Sequence, residues 1–135
     1  MFQPTGQSAH RDTFARDNLP PRDLWPDMDY GAVPDLAAYP AQINVARELL
    51  DLHVAAGFGA RPALHFGGDT WSYAALQARA NQIAHVLVAD LGVVPGNRVL
   101  LRAPNNPMLV AAWFGVLKAG GICVTTMPML RCGEL

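Results

Sequence analysis

The hydrophobic positions are aperiodic at first and then become regular. Through residue 41, Phe2, Phe14, Leu19, Leu24, Trp25 and Tyr30 are scattered among prolines and aspartates. Six of the eleven prolines stand in the first 40 residues, beside Asp12, Asp17, Asp23, Asp27, Asp29 and Asp35. Proline lacks a backbone donor and biases the residue before it away from helix, so this stretch is expected to be extended or coiled. It is too apolar for a free tail and predicts an arm, residues 1–41, lying across something larger.

From Asn44 the pattern acquires a period. Asn44 reads as an N-cap for a helix with Ala46, Leu49, Leu50 and His53 on one face, stopped by Gly57. Residues 63–66 and 70–73 flank Gly67-Gly68-Asp69 and predict two short strands around a tight turn. Ser72 caps the next helix, whose stripe is Leu76, Ala80, Ile83, Leu87 and Leu91, ending at Gly92. Pro95-Gly96 predicts a turn and residues 98–102 a strand. Asn106, with Pro107 at the first helical position, opens a very apolar helix that ends at Gly120-Gly121. Residues 122–126 predict the next strand.

Strand, helix and strand over residues 99–126 make a βαβ unit, with parallel strands and a right-handed crossover. A parallel sheet needs both faces covered, and this chain offers too few strands to do so. Arg131-Cys132-Gly133-Glu134-Leu135 reads as the beginning of a helix. The expectation is therefore an incomplete α/β subdomain over residues 42–135, with a short hairpin and a βαβ unit, cut at the start of a helix.

Composition narrows the function. With 135 residues, 51% hydrophobic and 16% charged, the chain has the makings of one packed core. A formal charge of -1 gives no electrostatic case for nucleic acid or an anionic membrane. Residues 1–60 hold four arginines against eight acids, and residues 61–135 six bases against three acids, a mild gradient typical of solvated faces. The longest apolar run, residues 108–117, is about half of the ~20 residues needed to span a bilayer. The N-terminus shows neither a basic n-region nor an apolar h-region. A cytoplasmic protein is expected.

Candidate chemistry is sparse. A Walker-type phosphate loop is absent, since the single lysine, Lys118, is followed by Ala119. Gly57 and Gly59 begin a G-x-G that lacks its third glycine and follows a helix. Neither Ser8 nor Ser72 sits in G-x-S-x-G. His10, His53, His65 and His85 have no metal-ligand spacing, and no metal site is assigned. His53 and His85 fall on or beside helical stripes and are expected as partly buried, satisfied imidazoles. Cys123 reads as a small hydrophobe in a buried strand, and nothing near Cys132 would depress its pKa. Trp25, Trp71 and Trp113 read as core or docking residues. No catalytic residue is assigned.

Two segments, read together, resemble a known family. Thr70-Trp71-Ser72-Tyr73-Ala74-Ala75-Leu76 resembles the [TS]-Y-x-E-L core motif of adenylate-forming (AMP-binding) enzymes. Leu117-Lys118-Ala119-Gly120-Gly121-Ile122-Cys123-Val124-Thr125 resembles their L-K-A-G-x-x-x-V motif. The resemblance covers roughly residues 42–135. Residues 8–21, from Ser8-Ala9-His10-Arg11-Asp12 to Pro20-Pro21, are similar to the N-termini of benzoate- and 2-aminobenzoate-CoA ligases. Ala75 stands where the family's capping-box glutamate would, which removes half of that box. Lys118 is read as a cap for helix-terminal carbonyls.

The resemblance implies the N-terminal subdomain of the adenylate-forming fold and an ATP-dependent aryl- or acyl-CoA ligase as the parent enzyme. Such an enzyme takes a small aromatic or acyl carboxylate, ATP, CoA and Mg²⁺, and yields acyl-CoA, AMP and pyrophosphate. The family's phosphate loop, acid pocket, ribose-binding aspartate and catalytic lysine lie beyond Leu135, so this chain by itself is expected to be inactive and prone to self-association. The loop at residues 128–131 lies on the CoA side in the family, which makes Arg131 a candidate contact for a nucleotide phosphate. An adenylation domain of a peptide synthetase or carboxylate reductase would carry the same motifs. A non-catalytic α/β interaction module is the reading from a different class, should 135 residues be the natural length.

Overall fold

The computed structural model describes residues 8–27, 29, 31–40 and 42–134; the apolar positions Phe2 and Tyr30 of the expected arm lie outside them. The described residues up to 40 are largely irregular, punctuated by α1 (Phe14–Asp17), a 3-10 turn at Arg22–Leu24 and α2 (Pro34–Ala37). Each is a local event. The Asp12 carboxylate accepts the Phe14 N–H at 2.9 Å as α1 begins, and Pro34 occupies the first turn of α2. Trp25 donates to the Pro20 carbonyl at 2.7 Å, with the Arg22 guanidinium 5.1 Å above its ring. It packs on its own segment.

A helix then runs over residues 45–58. Asn44 Oδ1 accepts the N–H groups of Ala46 at 3.0 Å and Arg47 at 3.3 Å, which makes it the expected cap. The helix contains π turns at Arg47–Asp51 and Val54–Phe58, and Gly57, at φ 87°, breaks it. Ala46 and Leu50 are fully buried, but Leu49 is 53% exposed and His53 is exposed too. The expected stripe is corrected here. The i→i+5 turn advances each residue by a smaller angle than an α turn, so the inward positions are four apart, Ala46, Leu50 and half-buried Val54.

β1 (Pro62–Phe66) and β2 (Asp69–Ser72) pair antiparallel. Gly67 and Gly68, at φ 58° and 93°, supply the two left-handed residues of a tight hairpin turn. Ser72 ends β2 and caps α3 (Tyr73–His85), its side chain accepting the Ala75 N–H at 3.2 Å. The helix continues through a π turn, Val86–Asp90. It closes where the Val93 N–H returns to the Leu87 carbonyl at 2.8 Å around Gly92, at φ 65°. Leu76, Ala80 and Leu87 are buried as the stripe predicts, whereas Leu91 is 67% exposed because that last wide turn carries it off the inward face. His85 is exposed as well, so neither helical histidine is a buried imidazole.

β3 (Arg98–Leu101), α4 (Pro107–Lys118) and β4 (Ile122–Thr125) form the βαβ unit, with the strands parallel and Val99 opposite Cys123. Asn106 caps α4 by accepting the Leu109 N–H at 2.9 Å. α3 and α4 cross where Gly115 removes a side chain: a Cβ there would stand 2.7 Å from Ile83 Cγ2. Two clusters of buried side chains result. One joins Leu50, Leu76, Ala80 and Ala111; the other joins Leu87, Val116 and Ala119 and receives Val99, Leu101 and Cys123 from the strands, with Ile83 touching both. The opposite face of the parallel pair carries Leu100 and Val124, both exposed.

Candidate functional site

In open α/β sheets ligands gather outside the carboxyl ends of the parallel strands. Here that edge consists of Arg102, which follows β3, and residues 126–131, which follow β4. The Arg102 guanidinium donates to the Pro128 carbonyl at 3.0 Å and to the Leu130 carbonyl, so it holds the loop in place. The Thr126 N–H reaches the Leu101 carbonyl at 3.2 Å. Its hydroxyl oxygen is buried and has no hydrogen-bond partner among the described residues.

Arg131, the one candidate binding residue, ends this loop. It is exposed, its backbone N–H donates to Glu134 Oε2 at 2.7 Å, and a 3-10 turn, Cys132–Glu134, follows it. Among the described residues its guanidinium forms no ion pair. The two neighbouring arginines thus differ in kind. Arg102 is occupied by carbonyls of its own chain, while Arg131 faces solvent.

Lys118 does not serve as a terminal cap. Its ammonium is largely buried and pairs with Asp51 on the helix 45–58, and Asp51 also accepts from Gln77 of α3 at 2.8 Å. Three helices meet at this carboxylate. Its burial works to raise the carboxyl pKa, but the hydrogen bonds from Lys118 and Gln77 and the charges of Lys118 and Arg47 hold it below its ordinary value. The carbonyls at the end of α4 are satisfied without the lysine. Gly121 N–H returns to Val116 at 2.9 Å, and the Leu117 carbonyl accepts from Asn44 Nδ2 at 2.9 Å. Asp51 and Gln77 are not legible as partners in the sequence because they stand 67 and 26 residues from the groups they bind.

The remaining candidates stay apart. His53 stacks on Tyr73 with ring centroids 5.3 Å apart, and His65 Nδ1 lies 2.9 Å from Thr70 Oγ1 across the hairpin. Burial pushes the Cys123 thiol up, and its sulfur faces the Trp113 carbonyl, consistent with a hydrophobic packing role. Trp71 packs against the first core cluster, and Trp113 meets Phe114 edge-on. Thr70, Trp71, Ala75 and Arg79 line a shallow open depression of about 180 Å³. Among the described residues no group of three or more His, Cys, Asp or Glu could hold a metal ion. Among them, too, no helix is long and apolar enough to cross a membrane.

This arrangement supplies a scaffold and, in Arg131, an exposed arginine without an ion pair among the described residues, and its kinship is plain. The AMP-binding enzyme family profile matches residues 52–135. The chain is 40% identical over 92 residues to the salicyl-AMP ligase / salicyl-S-ArCP synthetase of Mycobacterium tuberculosis, covering 68% of this chain and 15% of that protein. Its structure is similar to that of an anthranilate CoA ligase in complex with anthranoyl-AMP (TM-score 0.66, 26% identity), covering 73% of this chain and 18% of the other. It is also similar to a benzoate CoA ligase from Burkholderia xenovorans (TM-score 0.60, 29% identity), covering 67% and 18%. The chain thus spans less than a fifth of the length of these relatives. With both motif segments placed in the N-terminal α/β subdomain common to adenylate-forming enzymes, this chain belongs to the AMP-binding enzyme family.

Proposed function

We propose that this chain is the N-terminal part of a cytoplasmic, ATP-dependent aryl- or acyl-CoA ligase, with residues 1–41 an arm and 42–135 a partial subdomain. The overall reaction is carboxylate, ATP and CoA to acyl-CoA, AMP and pyrophosphate. The observation that carries this reading is the structural likeness to anthranilate and benzoate CoA ligases, together with the residues 8–21 that resemble such enzymes. It favours an aromatic acid as substrate. In this reading Mg²⁺ and the phosphate-binding parts belong to the remainder of the enzyme, as the family resemblance implies, and residues 1–135 alone are expected to be inactive.

Within that enzyme the chain's own contribution is positional. Ser72 starts α3, the Asp51–Gln77–Lys118 node fixes three helices, and Arg102 shapes the loop that ends in Arg131. We assign Arg131 to the CoA side, where its exposed guanidinium meets a phosphate of the nucleotide. In the complete enzyme, Arg131→Ala then raises KM for CoA and leaves acid-dependent pyrophosphate release unchanged. An unaltered KM for CoA removes the assignment.

The kinship to a salicyl-S-ArCP synthetase favours a second reading, an adenylation enzyme that delivers the acyl group to a carrier protein instead of CoA. One experiment separates them. The protein from the uninterrupted coding frame is assayed with benzoate or 2-aminobenzoate and ATP for ATP–pyrophosphate exchange, which reads adenylate formation, and for AMP release with and without CoA, which reads transfer to the thiol. The ligase reading requires CoA-dependent turnover; adenylate formation that CoA leaves unaffected supports the carrier-protein reading; no acid-dependent reaction supports a non-catalytic module.

A further inference from the structure

Residues 10–14 lie on the turn that precedes β3. The Pro95 carbonyl accepts the N–H groups of Arg11 at 2.8 Å and Asp12 at 3.0 Å. The Asp12 carboxylate accepts from Asn97 Nδ2 at 2.8 Å and Arg98 Nη1 at 2.6 Å, and the Arg98 guanidinium stands 4.4 Å over the Phe14 ring. Gly96, at φ 95°, is the residue that permits this approach: a Cβ there would stand 2.1 Å from the Asp12 carbonyl oxygen.

We infer that residues 8–27 form a releasable strap, fastened to the body through the Asp12 clasp on the Pro95–Arg98 corner. Among the described residues, the polar contacts between 8–27 and 42–134 are those of Arg11 and Asp12, with the Arg98–Phe14 stack beside them. Among the described residues, no side chain of 8–27 is buried to supplement the clasp. Neither α1 nor the Arg22–Leu24 turn contains a buried residue, and Leu19 and Leu24 are exposed. The Asp12–Arg98 pair is itself partly exposed, so salt screens it. The Asp12 carboxyl is held below its ordinary value, chiefly by the Phe14 N–H and the Asn97 amide, so the clasp is charged at neutral pH.

The corner keeps its own bonds to the body. Gly96 N–H donates to the Gly120 carbonyl at 2.9 Å, Ile122 N–H to the Asn97 carbonyl at 2.8 Å, and Val94 N–H to Asn97 Oδ1 at 2.9 Å. None of these needs the strap. Release therefore leaves β3 and β4 paired.

Native-state trypsin cleavage of the full chain at Arg16 and Arg22 reads the open population when opening is fast relative to cutting. Asp12→Ala is expected to speed that cleavage roughly tenfold, the order set by losing charge-assisted hydrogen bonds. Added sodium chloride speeds it in the unaltered chain. Amide exchange at Ile122 and Thr126 stays as slow as before. Gly96→Ala, acting from the other side of the contact, should match Asp12→Ala at the two arginines. Since alanine at Gly96 also strains a left-handed backbone, Asp12→Ala is the deciding variant. Unchanged cleavage in Asp12→Ala overturns the inference, as does loss of exchange protection at Ile122 together with strap release.

Discussion

Asp51 and Lys118 form an ion pair in which the lysine is largely withdrawn from water and the carboxylate is the acceptor shared with Gln77. Removing one member leaves the other partly buried without its counter-charge, which costs about 1–3 kcal/mol. Lys118→Met is therefore expected to lower the urea midpoint at neutral pH. The sign with acid follows from the carboxyl being held below its ordinary value. Between its folded and unfolded pKa values the unfolded chain binds more protons, so this stabilisation is complete above about pH 4 and is lost as pH falls through the folded value. The difference between the parent chain and Lys118→Met should accordingly narrow below about pH 4 in denaturant titrations. A difference that persists unchanged into acid would show that Lys118 acts through packing and not through the pair. Nothing local in the sequence marks this node: Lys118 closes an apolar helix with the spacing of a terminal cap, and its true partner is 67 residues away.

At the scale of elements, the starts and stops rest on local chemistry and were legible in the sequence. Asn44, Ser72 and Asn106 each accept N–H groups from the turn that follows, and Gly57, Gly92 and Gly120 supply the left-handed stops. Ser72→Ala is expected to cost about 1 kcal/mol of unfolding free energy, measured in urea, with amides of the first α3 turn exchanging faster. What was not legible is the winding inside the helices. The π turns at Arg47–Asp51 and Val86–Asp90 shift the phase of the apolar stripe and put Leu49, His53 and Leu91 outside it. Periodicity assumes an α turn, so it misplaces residues wherever the turn widens. The crossing of α3 and α4 offers a sharper test. Gly115→Ala gains helix propensity of about 1 kcal/mol, yet its Cβ meets Ile83 Cβ at 2.9 Å as well as Cγ2. In so tightly packed a crossing the overpacking term dominates, and the expected outcome is a lower Tm. A raised Tm would mean that Ile83 yields readily.

The whole molecule presents an imbalance that its elements do not resolve. The parallel pair packs Val99, Leu101 and Cys123 against α3 and α4 on one face, while Leu100 and Val124 stand exposed on the other, between two short strand edges. Isolated in solution, the 135-residue chain is expected to associate in a concentration-dependent way by sedimentation velocity, and Leu100→Lys should reduce it. A monomer at every concentration would count for a self-sufficient module. At this scale the sequence disclosed the βαβ unit and the family motifs, because both depend on order along the chain. It did not disclose the seating of residues 10–14, where an aspartate and an arginine 86 residues apart meet over a glycine. The proposed ligase is to be tested as a whole protein. Its most direct test is acid-dependent ATP–pyrophosphate exchange by the protein from the complete coding frame, with benzoate and 2-aminobenzoate, followed by CoA-dependent release of AMP. Exchange with an aromatic acid, turnover completed by CoA, and neither activity from residues 1–135 alone are the expected results. Absence of exchange with every aromatic acid tried, or exchange with amino acids only, would contradict the proposal.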